Sequence, residues 1–254
     1  MKVSLVEPWE GARISRTRQH LGERLHSVLL RGYGLSERDF SHACVDRIMP
    51  TLNAARAPVD PMQAEVLWLA GPTAFTLPGR YCYIARQFIE RCRCDAPAAF
   101  ALAHEIGHHD LGHLRYAEVW ASATATHAPL RFAALMLHRL AQRMYSRDAE
   151  LAADAYAIEL CRKAGYELKR CLEAFDILSW WLLNNRDLDG VYGTDEELEL
   201  DPRLAANPID WAFIEARLWL ARHRRQYPAI VERRRLLESY IANLNASAGA
   251  HSAI

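Results

Sequence analysis

The segment DAPAAFALAHEIGHHDLGH, running from Asp95 to His113, governs how the rest of the chain is read. Asp95 offers an N-cap, and Pro97 falls in the first turn, where a missing N–H costs nothing, so a helix is predicted from Ala96 through the histidine cluster. On that helix His104 and His108, four residues apart, lie one turn above each other on one face. Two imidazoles placed this way can share one ion. Glu105 follows His104 by about 100° of helix rotation, so its carboxylate can reach a water at the ion without occupying the ion itself. A general base needs that placement. The small residues Ala101, Ala103 and Gly107 surround the motif, and Ala152, Ala153 and Ala155, which flank Glu150 and Asp154, are small enough to let two helices approach closely.

Zinc suits this chemistry: it binds nitrogen and oxygen without redox activity, and three protein ligands leave its fourth position open. One ligand is therefore missing from the helix. Leu111 and Leu114 occupy the positions where a longer H-E-x-x-H-x-x-G-x-x-H pattern requires glycine and histidine. If the helix continues past Gly112, His109 points about 140° and His113 about 180° away from His104. Both are expected to be polar residues outside the ligand set. Glu150 and Asp154 answer better, four apart on a helix predicted from Arg147 to Lys163, with Ser146 as its cap and Gly165 as its stop. Glu150 is expected to be the third ligand of a single zinc per chain, with Glu118 and Glu159 as alternatives. Asp154 is expected to accept the free ring N–H of a ligand histidine and fix its tautomer.

Working outward, apolar residues at spacings of three and four predict helices over Glu10 to Arg31 and Glu37 to Arg56. Between Ala57 and Arg86, prolines and glycines bracket the short runs Glu65 to Leu69 and Tyr81 to Ala85, which predicts two or three strands. Further helices are expected over Leu130 to Tyr145, Leu168 to Asn184, Trp211 to Arg224 and Ala229 to Asn245. The pattern implies an α+β, predominantly helical domain with a small sheet beside the histidine helix.

Composition narrows the function classes. The chain has 254 residues, about half of them apolar, and 31 basic residues against 31 acidic ones, so no net field draws it to nucleic acid or an anionic membrane. Arg224 with Arg225, and Arg233 to Arg235, are expected on solvated helix faces. The apolar runs Ala98 to Ala103 and Phe132 to Leu137 end well short of the roughly 20 residues that cross a bilayer, so no transmembrane segment is expected. Met1 to Trp9 lacks a signal-peptide core, and six cysteines without one suit a reducing compartment, which makes a cytoplasmic location the expectation. Cys92 and Cys94 could form a redox or metal pair, but they lack the companion pair of a zinc ribbon.

These residues resemble the gluzincin metallopeptidases of peptidase family forty-eight, the group containing HtpX and the CAAX prenyl proteases. Leu102 to His113 looks like the family's metal helix, including the histidine five residues after the second ligand, and Ser146 to Ala157 looks like its third-ligand helix. Ala74 to Gly79 followed by Tyr81 to Ala85 is similar to the segment forming the strand beside the cleft. The likeness covers about Ala74 to Leu178, with a weaker stretch near Tyr227 to Leu237. One departure is Tyr227-Pro228 before Glu232-Arg233, where the family often has His-Pro.

The resemblance implies a zincin-like core and leaves the first seventy residues unexplained; the organisation along the chain predicts a helical segment at 1–57 packed on a metallopeptidase core at 58–186, a C-terminal helical part at 187–245, and a frayed tail at 246–254. It implies a zinc metalloendopeptidase acting on a protein or peptide substrate. Substrate is expected to add as a strand along Tyr81 to Ala85, and His223 or Tyr227 is expected to supply an oxyanion donor. The competing expectation is a catalytically silent scaffold that binds a protein partner through Trp180, Trp181, Trp211 and Trp219.

Overall fold

The structure is a computed structural model and describes residues 16–33, 39–56, 60–69, 71–114, 147–184 and 227–251. Its elements in chain order are α1 (Arg16–Tyr33), α2 (Phe40–Arg56), β1 (Gln63–Leu67), β2 (Ala74–Leu77), β3 (Tyr81–Ala85), α3 (Arg86–Ile89), α4 (Asp95–Asp110), α5 (Arg147–Lys163), α6 (Leu168–Cys171), α7 (Glu173–Asn184) and α8 (Tyr227–His251). The α+β, mostly helical architecture is as expected. The helices expected at 130–145 and 211–224 lie outside the described residues.

The sheet order is β1-β3-β2, with β3 parallel to β1 and antiparallel to β2. A tight turn joins β2 to β3, and Gly79 takes a φ of 105° there, a conformation that side chains resist. Tyr81 and Tyr83 share one face of β3 with Phe75 of β2, while Cys82 and Ile84 face the other way. α1 packs on the tyrosine face, where His26 stacks on Tyr81 at 4.1 Å.

α4 lies against the sheet and is buried along almost its whole length, including His104, Glu105, His108, His109 and Asp110. Such burial suits its alanine-rich surface. Asp95, expected to cap this helix, is instead its first residue: Cys94 holds the cap position without a side-chain hydrogen bond, and Asp95 accepts two hydrogen bonds from Arg47 of α2. The sequence left open whether α4 continues past Gly112, and it does not. Gly112, with a φ of 73°, closes it: its N–H donates to the His109 carbonyl and the His113 N–H donates to the His108 carbonyl. This turn satisfies the last carbonyls of the helix and folds the chain back on itself. Gly165 ends α5 in the same way, as expected, with Tyr166 N–H donating to the Cys161 carbonyl.

α5 packs along α4. The single helix expected over Leu168 to Asn184 is two, with a break at Leu172 and the buried Cys171 and Phe175 on either side of it. α8 lies on α5 and α7. It continues to His251, past the Asn245 where it was expected to end, through alanines that favour helix. No helix among the described residues is long and apolar enough to cross a membrane.

Candidate metal centre

The close approach of α4 and α5 has a local cause. A Cβ at Gly107 would stand 3.3 Å from the Ala153 backbone and 3.1 Å from the Tyr156 ring, so a side chain there would press α5 and the Tyr156 ring outward by a few tenths of an ångström. The approach brings Glu150 and Asp154 opposite the histidines. His104 Nε2 and His108 Nε2 are 3.0 Å apart, and the Glu150 carboxylate lies 3.5 Å from the first and 3.3 Å from the second. One ligand atom from each of the three residues falls within 4.8 Å of the others.

The donor set fits a zinc ion. Two imidazole nitrogens face each other at hydrogen-bond distance, and Glu150 Oε1 is buried with no hydrogen-bond donor among the described residues. Buried polar atoms of this kind are normally satisfied, and a cation shared among two nitrogens and one oxygen would satisfy all three. Electrostatics agree. Burial works against charge on His104, yet Asp154 and Glu150 beside it prevail and raise it to about 10. Carboxylates that attract a proton so strongly also attract a metal cation.

The outer nitrogens of both rings have neighbours. His104 Nδ1 is 2.9 Å from Asp154 Oδ1, close but off the ideal hydrogen-bond line. His108 Nδ1 is 2.9 Å from His113 Nδ1. The 180° separation expected for His113 assumed a helix running past Gly112; because α4 stops at Asp110, His113 swings back to the outer side of His108. His109, by contrast, faces away from the cluster and lies 3.0 Å from Asp110 Oδ1.

Arg233 of α8 closes the site. Its Nη1 lies 2.7 Å from Glu150 Oε2, and its Nε and Nη2 donate to the two oxygens of Asp154 at 2.7 Å each. Burial raises the Glu150 and Asp154 carboxyls, but Arg233 and the histidines outweigh it and hold both below their usual range. The expectation that Arg233 sits on a solvated face is therefore wrong: its side chain is 16% exposed. The signal was present in its spacing, since Arg233 lies three residues after Ile230 and four before Leu237, both buried. Arg235, on the other side of α8, is exposed.

Glu105 is buried beside the cluster, and burial raises its carboxyl above the usual range against the pull of His108 and His104. A carboxyl raised in this way holds a proton more readily than a free one. Glu159, an alternative third ligand, instead accepts hydrogen bonds from Tyr240 and Arg162. Glu118 and His223 lie outside the described residues, as does the side chain of Tyr227, the first residue of α8. Burial pushes Cys92 up to about 12, and its thiol donates to the Phe88 carbonyl. All six cysteines are free.

Strand order corrects the expected substrate position. β3 is paired on both edges, so no peptide can add along Tyr81 to Ala85. The neighbouring β2 packs against α4 and keeps an edge that no described strand pairs.

A comparison with protein-family models matches peptidase family M48 over residues 41–240. The match spans most of the chain, and the chain belongs to that family of zinc metallopeptidases. A search of curated proteins finds no match.

Proposed function

We propose that the chain is a zinc-dependent metalloendopeptidase in which His104, His108 and Glu150 hold one zinc ion and Glu105 is the general acid and base. The observation that carries this reading is the meeting of those three buried ligand atoms, from helices remote in sequence, beside a buried glutamate. A bound zinc supplies a Lewis acid and makes an attacking water acidic near neutral pH. Glu105 takes a proton from that water and passes it to the leaving amine. Asp154 and His113 hold the outer ring nitrogens, so that each Nε2 keeps its lone pair directed at the ion. Arg233 keeps Glu150 ionised and pins one of its oxygens, leaving the other for the metal.

The substrate class is an unfolded or extended polypeptide, laid along the open edge of β2, where backbone hydrogen bonds tolerate many sequences. His223 and Tyr227 stand as proposed oxyanion donors.

The test is metal analysis of the purified chain together with cleavage of an unfolded protein. The wild type is expected to carry one zinc and to cleave. Glu105→Gln is expected to keep the zinc and lose activity by about 10²–10⁴-fold, the usual contribution of a positioned acid or base. Zinc retained by a wild type that cleaves no unfolded protein would overturn the enzymatic reading in favour of a scaffold.

A further inference from the structure

Behind the histidine cluster a second set of polar groups is buried, and none of them is assigned a role by the proposed chemistry. Asp110, the last residue of α4, is completely buried. Its two oxygens accept hydrogen bonds from Arg56 Nε at 2.6 Å and Arg56 Nη2 at 2.5 Å, and Oδ2 also accepts from the Tyr156 hydroxyl at 2.5 Å. His109 Nδ1 lies 3.0 Å from Oδ1. Arg56 comes from the end of α2 and is itself buried, with Nη1 donating to the Asp60 carbonyl at 2.7 Å. Tyr156 comes from α5, two residues beyond Asp154.

The path of Tyr156 gives this cluster its significance. Its ring covers Gly107, filling the place a side chain would take there, and its hydroxyl reaches one helical turn on to Asp110. The residue thus bridges from the helix that carries Glu150 to the helix that carries both histidines, close to their crossing. A bidentate arginine from a third helix fixes the far end of the bridge, and such forked pairs constrain geometry strongly. A shift of α5 along α4 would break the Tyr156 bond and, in the same motion, change the distance from Glu150 to the two Nε2 atoms.

We propose that Tyr156, Asp110 and Arg56 are positioning residues that set the register between α4 and α5 and thereby the geometry of the metal site. The proposal rests on the metal-site reading above. It does not require any of the three to touch metal or substrate.

The test uses the full chain with zinc and with cobalt as a spectroscopic stand-in. Tyr156→Phe removes only the hydroxyl and leaves the ring over Gly107, so the protein still folds. It is expected to weaken zinc binding by about tenfold, the lower range for losing a group that orients a ligand, and to alter the visible cobalt spectrum. Arg56→Lys, which keeps the charge but loses the fork, is expected to change the cobalt spectrum in the same direction. If Tyr156→Phe lowers the melting temperature but leaves zinc affinity and cobalt spectrum at wild-type values, the cluster is only structural and the proposal is overturned. His104→Ala separates the two readings: wild-type zinc binding that this variant does not reduce overturns the metal site itself, and the positioning role with it.

Discussion

Arg233 brings three nitrogens to two buried carboxylates, and the asymmetry of buried ion pairs sets what its loss would do. Removing one partner leaves the other charged and desolvated, which typically costs about 3–5 kcal/mol. Arg233→Met is expected to destabilise the metal-free chain by about that amount, measured as the urea midpoint; an unshifted midpoint would mean that Glu150 and Asp154 do not depend on it. His113 predicts a different outcome, because its contact with His108 orients a ring and carries no stabilising charge. His113→Ala is expected to weaken zinc binding by about 10–100-fold, as read by chelator competition, with little change in the melting temperature of the metal-free chain. The meeting of the proposed ligands His104, His108 and Glu150 was legible in the sequence because a four-residue spacing on a helix is a geometric statement. Arg233, Arg56 and Asp110 were less so, though each sits on the buried stripe of its helix: Arg56 four residues after Leu52, and Asp110 four after Ile106. A charge at a core position marks a partner without naming it, since the partner comes from a distant part of the chain.

At the level of elements, α1 buries Leu21 and Leu25 in the core and meets the sheet through a close backbone approach and a histidine. A Cβ at Gly22 would stand 2.5 Å from the Pro78 carbonyl oxygen, so the helix meets the β2–β3 turn almost backbone to backbone. One turn on, His26 stacks on Tyr81 and its Nδ1 lies 2.9 Å from the Tyr83 hydroxyl, with Glu65 of β1 nearby and Glu23 on α1 itself. Burial lowers the His26 pKa below 6.5, and Glu65 only partly opposes it. The folded state therefore binds fewer protons than the unfolded state just below pH 6.5. The stability His26 contributes is full above that pH and is lost as pH falls toward the depressed value. Hydrogen exchange, corrected for intrinsic pH dependence, is expected to show α1 losing protection between pH 7.5 and 5.5 while α4 keeps its own; His26→Phe should remove the difference. Equal loss in α1 and α4 would contradict this. The matched family segment begins at residue 41, so α1 lies outside it. The sequence revealed strands in the region of β1 and β3, but not their order. Order depends on pairing between segments, which periodicity within one segment does not encode, and for that reason β3 was mistaken for an edge. The turn at Gly112 was left open for a related reason: a lone glycine is compatible with either a stop or a continued helix until the contacts of His113 are known.

The whole molecule converges on the site from helices spread across the chain: α2 supplies Arg56, α4 the histidines and Asp110, α5 the carboxylates, and α8 the arginine that neutralises them. α8 is further tied to α5 by Arg147 with Glu232 and Tyr240 with Glu159, and to α7 by Arg234 with Asp176. An ion that binds only when α4 and α5 are in register is bound by the folded state alone, so metal binding and folding are linked. At a free zinc concentration 100 times the dissociation constant, that linkage adds about 2.7 kcal/mol. The melting temperature is therefore expected to rise with zinc concentration and to fall on chelation. Glu150→Ala should flatten the dependence, since it removes the only ligand supplied by the second helix. Scanning calorimetry across a zinc series measures this directly. A shift that persists in Glu150→Ala would place the stabilising ion elsewhere, and a wild-type melting temperature indifferent to zinc would break the link between this site and the fold.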